Sequence, residues 1–209
     1  MEIVRLAVGQ LQTDCYLAFC PKTREAVIID PGDDGDFIGR RIGDLAIRPK
    51  LILVTHGHFD HVLAATELKL AFGIPFAIHP KDLFLLKRLR QTAEHFLGYD
   101  ACPEEIKGPE VDRFLKEGDV VGFGRERLRV IETPGHTPGS VCFYSSGDEV
   151  LFSGDILFYR GIGRTDFSYA SPEDLSESLR KLFVLPGETI VYPGHGQETT
   201  IGAEGGLDL

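Results

Sequence analysis

The chain of 209 residues contains no Asn and no Trp, a single Met at its first position and only four Gln. Depletion of thermolabile residues is a mark of heat-adapted proteins, so a high thermal midpoint is expected. Cysteine is also scarce: Cys15, Cys20, Cys102 and Cys142 show no C-x-x-C spacing. With no signal peptide in view, they read as reduced, buried thiols of a cytoplasmic protein. The N-terminus has no basic segment leading into a long apolar one, and no apolar run approaches ~18 residues, which argues against secretion and against a membrane span. Basic residues are in deficit, 22 against 32 acidic ones, giving a net charge of −10. That balance opposes non-specific nucleic-acid binding. The length suits one domain built of two halves.

Against these absences stands one dense cluster. Three of the seven histidines fall in Thr55-His56-Gly57-His58-Phe59-Asp60-His61, directly after the apolar run Leu51-Ile52-Leu53-Val54. A short apolar run that stops at ligand-type side chains reads as a buried strand delivering a site at its C-terminal end. Gly57 lets the backbone turn tightly enough for His56 and His58 to face one point. Asp60 and His61 are expected in the first turn of a helix over 62–72, facing the same space from the other side. Neutral imidazole and carboxylate are ligands that zinc, iron and manganese accept. Four such side chains in so short a loop exceed what one ion usually takes, which points to two adjacent ions.

The remainder alternates strands and helices. Short strands are expected over 2–8, 15–20 and 26–30, with a turn at 21–24 between the last two. A modest helix over 36–47 precedes the metal-loop strand. A strand over 75–78 ends at His79, which reads as a packed histidine at a strand end. A long amphipathic helix is expected over 81–97, with Leu83, Leu86, Ala93 and Phe96 or Leu97 on one side. Its Lys87, Arg88 and Arg90 read as a solvated face, and His95 as a surface residue. Residues 98–109 form a loop dividing the halves, about 1–109 and 110–209. The second half carries strands near 120–123, 128–131, 141–144 and 150–152, a helix over 172–183 and a strand over 189–192. Strands, helix and strand, occurring twice, predict an α+β domain: two sheets face to face with helices outside, a four-layer αββα sandwich.

Three further segments each follow a strand: Thr133-Pro134-Gly135-His136-Thr137, Ser153-Gly154-Asp155 and Pro193-Gly194-His195-Gly196. Together with His56-Gly57-His58-Phe59-Asp60-His61, in this order, they resemble the motifs of the metallo-β-lactamase superfamily over nearly the whole chain. The resemblance implies that His56, His58 and His136 hold one metal, and Asp60, His61 and His195 a second. Asp155 would bridge the two together with a water or hydroxide, the nucleophile. Asp30, at the end of the third strand, would lie beneath the metals, although a turn former before Pro31-Gly32 is an equal reading. With no sulfur in the set, zinc leads, and iron and manganese stay open.

Antibiotic-hydrolysing members of the best-known type carry Arg at the place of His61 and Cys at that of Asp155, so their activity is not expected. The segments Gly163-Arg164-Thr165-Asp166-Phe167 and Tyr192-Pro193-Gly194-His195-Gly196-Gln197-Glu198-Thr199-Thr200 look like those of hydroxyacylglutathione hydrolases (glyoxalase II) and their short bacterial relatives. Arg164 is a candidate substrate contact, but an internal salt bridge with Asp166 is the favoured reading. Only nine residues follow Thr200, so the C-terminal helical region that holds glutathione in full-length members is not expected. The implied function is hydrolysis of a small acyl thioester, with Asp60 and Asp155 as the carboxylates at the reaction centre. Two alternatives remain: an iron-dependent persulfide dioxygenase using His56, His136 and Asp155, and a metal-binding regulatory protein without turnover.

Overall fold

The computed structural model describes residues 1–98 and 108–206. The loop expected over 98–109, with Cys102, falls almost wholly outside them.

The first half forms β1 (Glu2–Val8), β2 (Thr13–Phe19), β3 (Glu25–Ile29), α1 (Gly35–Asp44), β4 (Arg48–Leu53), α2 (Ala65–Phe72), β5 (Phe76–Ile78), α3 (Leu83–Leu86) and α4 (Leu89–Leu97). Then come β6 (Arg113–Phe114), β7 (Val120–Phe123), β8 (Glu126–Glu132), β9 (Val141–Ser145), β10 (Val150–Gly154) and a small hairpin, β11 (Leu157–Phe158) with β12 (Gly161–Ile162). The chain closes with α5 (Pro172–Leu182), β13 (Ile190–Pro193), β14 (Thr199–Thr200) and α6 (Ile201–Glu204). One six-stranded sheet runs β1-β2-β3-β4-β5-β6, the other β14-β13-β10-β9-β8-β7.

Alternation along the strands sorts side chains into layers. In β2, Tyr16 and Ala18 point one way and Cys15, Leu17 and Phe19 the other, and all are buried. Tyr16, Val27, Ile29 and Leu53 meet Val130, Phe143 and Phe152 of the second sheet in an inter-sheet core. On the far face of the first sheet, Leu17, Ile28 and Ile52 pack with Ile38 and Ile42 of α1, Leu68 of α2 and Ala93 of α4. Beyond the second sheet, Ile131, Cys142, Leu151 and Val191 pack with Leu175, Leu179 and Leu182 of α5. The result is helix, sheet, sheet, helix, as the repeated pattern predicts.

Local chemistry starts α5 where expected. Ser171 caps it, its hydroxyl accepting from the Asp174 N–H at 3.1 Å, with Pro172 in the first turn. Two expectations are corrected. Asp60 and His61 do not begin the helix after the metal loop: they sit in a separate 3₁₀ turn, Phe59–His61, and α2 starts only at Ala65. The tighter turn spaces successive side chains differently from an α-helix. The long helix over 81–97 is broken into a 3₁₀ turn, Pro80–Asp82, then α3 and α4. Neither Lys87 nor Arg88 at the break is Gly or Pro, so local propensity carries no sign of it. Cys15, Cys20 and Cys142 are free and buried, and Lys87 and Arg88 are exposed. Among the described residues no helix is long and apolar enough to cross a membrane.

Candidate metal centre

All the ligand-type motifs stand at strand ends on one rim, and main-chain bonds join their loops. Gly194 donates to the Gly154 carbonyl at 2.8 Å, Asp14 to the Gly194 carbonyl at 2.8 Å, and Val141 to the Thr55 carbonyl at 2.8 Å. Gly194 permits a close approach to two of the ligand-type side chains. A Cβ there would lie 2.2 Å from Asp155 Oδ1 and 2.7 Å from His61 Cε1.

Five imidazoles converge, and each is held by one nitrogen while the other faces inward. His136 Nδ1–H donates to the Arg164 carbonyl at 2.9 Å, and His195 Nδ1–H to the Leu11 carbonyl at 3.2 Å. His61 Nδ1–H donates to Asp30 Oδ2 at 3.0 Å. The Thr55 hydroxyl donates to that carboxylate at 2.7 Å and lies 3.1 Å from His56 Nδ1. His58 is turned the other way, with the Tyr169 hydroxyl 2.9 Å from its Nε2. Fixing the outer nitrogen sets the tautomer and leaves the inner lone pair for a ligand.

The inner atoms form two groups flanking one carboxylate. His58 Nδ1 is 2.9 Å from His56 Nε2 and 3.0 Å from His136 Nε2. Because the outer nitrogens of His56 and His136 face acceptors, their inner ones carry no proton, and both lone pairs converge on His58 Nδ1, where a shared cation fits. In the second group His195 Nε2 lies 3.3 Å and His61 Nε2 3.7 Å from Asp60 Oδ2. Asp155 spans both, with Oδ1 3.5 Å from His61 Nε2 and Oδ2 3.6 Å from His136 Nε2 and 3.8 Å from His195 Nε2. His61 Nε2 and Asp155 Oδ1 are buried without any hydrogen-bond partner. Orphaned polar atoms facing one another across seven ligand-type side chains fit divalent metal ions.

Electrostatics divides the groups similarly. Burial, then neighbouring His136, pushes His58 down to about 3, and burial with the adjacent imidazoles holds His56 well below its ordinary value. Burial would lower His61 too, but Asp155, Asp60 and Asp30 lift it to about 10. Asp60 is driven down: burial raises it, and His61 and His195 outweigh that. His56 and His58 thus favour the neutral imidazole, while the carboxylates of Asp155, Asp60 and Asp30 gather around His61.

The centre floors a cavity of about 300 Å³ lined by Leu11, Phe59, Phe96, Phe167, Tyr169 and Arg164 along with His58, Asp60, His136, Asp155 and His195. Phe167 and Tyr169 stack at 5.3 Å and an interplanar angle of 12°. The Arg164 guanidinium forks onto Asp166, Nε to Oδ1 at 2.6 Å and Nη2 to Oδ2 at 2.5 Å, while lying over the Phe167 ring. His79 stays away, buried against Glu132 at 3.1 Å. Sequence reasoning missed Tyr169, Thr55 and Thr13, whose hydroxyl donates to Asp60 Oδ2 at 3.1 Å. Tyr169 stands two residues beyond the Gly163–Phe167 motif, and nothing local announces its contact with His58.

An αββα sandwich with imidazole and carboxylate groups gathered on one rim defines a protein built to bind divalent metal. The chain belongs to the metallo-β-lactamase superfamily, whose sequence model matches residues 8–195. The hydroxyacylglutathione hydrolase GloC of Haemophilus influenzae is 38% identical over 212 residues, covering 98% of this chain and 95% of that one. A solved structure of TTHA1623 in a di-iron-bound form is 38% identical with a TM-score of 0.87, covering 97% of both chains. The structure of the B3 metallo-β-lactamase BLEG-1 is 35% identical with a TM-score of 0.88, covering 97% of this chain and 96% of that one.

Proposed function

We propose that the protein is a dinuclear metal-dependent hydrolase of acyl thioesters. His56, His58 and His136 hold one ion, Asp60, His61 and His195 the other, and Asp155 bridges. The observation that carries this is the position of Asp155 at the floor of a largely apolar cavity: Oδ1 faces His61 of the second group, and Oδ2 faces both His136 of the first and His195 of the second. Zinc leads on ligand chemistry, and the di-iron form of TTHA1623 makes iron the first alternative. When bound, the ions would lower the pKa of water to about 7 and polarise an acyl carbonyl.

The protein's own groups decide which bond suits the centre. The outer bonds to Asp30, Thr55, Tyr169 and two carbonyls fix the five rings before substrate arrives, so no reorganisation is needed during reaction. Asp60 is held ionised and cannot protonate a departing amine. A thiol of pKa ~8.5 leaves as thiolate without an acid. The aromatic wall of Phe96, Phe167 and Tyr169 gives apolar surface for the acyl or thiol portion.

The test has two parts. Purified protein should carry about two ions per chain, and His195→Ala or Asp60→Ala should lower that count. S-D-lactoylglutathione or a simpler acyl thioester should release free thiol, and Asp155→Ala should abolish release. A chromogenic β-lactam is assayed in parallel because of the likeness to BLEG-1. Thioesters inert under full metal loading, with β-lactam or phosphodiester cleaved, would refute the assignment. A single firmly held iron with oxygen uptake on glutathione persulfide would replace hydrolysis by dioxygenation.

A further inference from the structure

One buried carboxylate outside the ligand set touches both loops that carry the first histidine group. Asp82 ends the 3₁₀ turn after β5 and is fully buried. Its Oδ2 accepts the Gly57 N–H at 2.9 Å and the Thr137 hydroxyl at 2.7 Å, and its Oδ1 accepts the Gly139 N–H at 2.7 Å. Gly57 lies between His56 and His58, and Thr137 follows His136. A single carboxylate therefore gathers donors from two loops that meet only in the folded protein.

The fit leaves no slack. A Cβ on Gly139 would sit 2.6 Å from Asp82 Oδ1, and one on Gly57 3.0 Å from the Asp82 carbonyl. The Thr137 hydroxyl is also 2.7 Å from Ser140 Oγ, which accepts the Thr137 N–H at 3.1 Å. Charge-assisted bonds of this kind are short and strong, and a buried carboxylate that loses a donor is left costly and unsatisfied. The arrangement consequently has one comfortable spacing between the loops.

We propose that Asp82 is the positioning residue of the first metal site. It sets the separation of His56 and His58 from His136, and hence the affinity for the ion they hold, without touching that ion. The inference rests on the metal reading above and adds a residue to it.

The test is zinc titration of metal-stripped protein, with chelator competition, well below the thermal midpoint of every variant. Wild type should take up two ions. Asp82→Ala should weaken one of them about 10- to 100-fold, the range for lost outer support of a metal ligand, and leave the other unchanged. His195→Ala identifies the site: it removes the second ion, so the one ion left in the double variant should be held about 10- to 100-fold more weakly than the one left in His195→Ala. Should Asp82→Ala not fold, Thr137→Val and Thr137→Ser take its place. The first should lower the same affinity several-fold, and the second, which keeps the hydroxyl, should restore it. Wild-type affinity in Asp82→Ala or Thr137→Val, equal weakening of both ions, or an ion held as tightly in the double variant as in His195→Ala would overturn the proposal. Wild-type protein that binds no zinc would overturn the metal reading itself.

Discussion

The Asp30 carboxylate accepts the Nδ1–H of His61 at 3.0 Å, and its other oxygen takes the Thr55 N–H at 2.7 Å. Asp30 thus orients His61 directly and, through the Thr55 hydroxyl, bears on His56. An Asn here must place an amide N–H against one of these donors. Asp30→Asn should lower zinc affinity about 10- to 100-fold, chiefly at the site of His61. Unchanged affinity by chelator competition would make Asp30 a turn residue and no more.

Arg164 acts on the centre through its backbone, because the carbonyl that receives His136 survives any side-chain change. Its guanidinium is exposed and paired with Asp166, and exposed pairs contribute only about 0–1 kcal/mol. Arg164→Ala should keep both ions and kcat, with KM for the thioester raised by at most about fivefold, since about 1 kcal/mol corresponds to that factor. Loss of an ion, or a fall in kcat beyond tenfold, would contradict this.

Asp112 links β5 to the chain entering β6. It accepts from Lys69 Nζ at 2.6 Å and from the Phe76 N–H at 2.7 Å, and in that order these bonds lower its pKa. A lowered folded value means stability present above the unfolded pKa of about 3.9 and lost as pH falls through the folded one. Asp112→Ala should cost about 1 kcal/mol at neutral pH, discounted for its partial exposure, and progressively less in acid. Denaturant melts at several pH values decide it. A cost that does not shrink in acid would rule out the carboxylate as its source.

Gly39 stands inside α1 with nothing within 4 Å of where a Cβ would be. Gly39→Ala should stabilise the protein by about 0.5–1 kcal/mol, since Gly loses more backbone freedom in a helix. A neutral or negative change in the unfolding midpoint would mean that the open space is used by something else.

The scarcity of Asn, Gln and Met leads to an expected thermal midpoint above the roughly 45–65 °C of mesophilic domains. Calorimetry of the metal-loaded protein checks this, and a value inside that range removes the inference.

Apolar strands ending in His, Asp and Gly were legible in the sequence because both signals are local. Alternation and run length mark buried strands, residue type and density marked His56, His58, Asp60 and His61 as ligand-type, and the resemblance to the superfamily added His136, Asp155 and His195 as candidates. The four-layer stacking followed from the same patterning. The supporting contacts were not legible. Tyr169 lies 111 positions from His58, Asp82 55 from Thr137 and Thr13 47 from Asp60. An ordinary Tyr, Asp or Thr becomes a support only when folding places its oxygen within 3 Å or so of a particular donor or acceptor. Nor could the sequence reveal the break at Lys87–Arg88 or the 3₁₀ turn under Asp60 and His61, where tertiary contacts override weak helical preferences. Sequence supplied the candidate ligand side chains; only the packing of two sheets, bringing distant loops to one rim, decided how each ring is aimed.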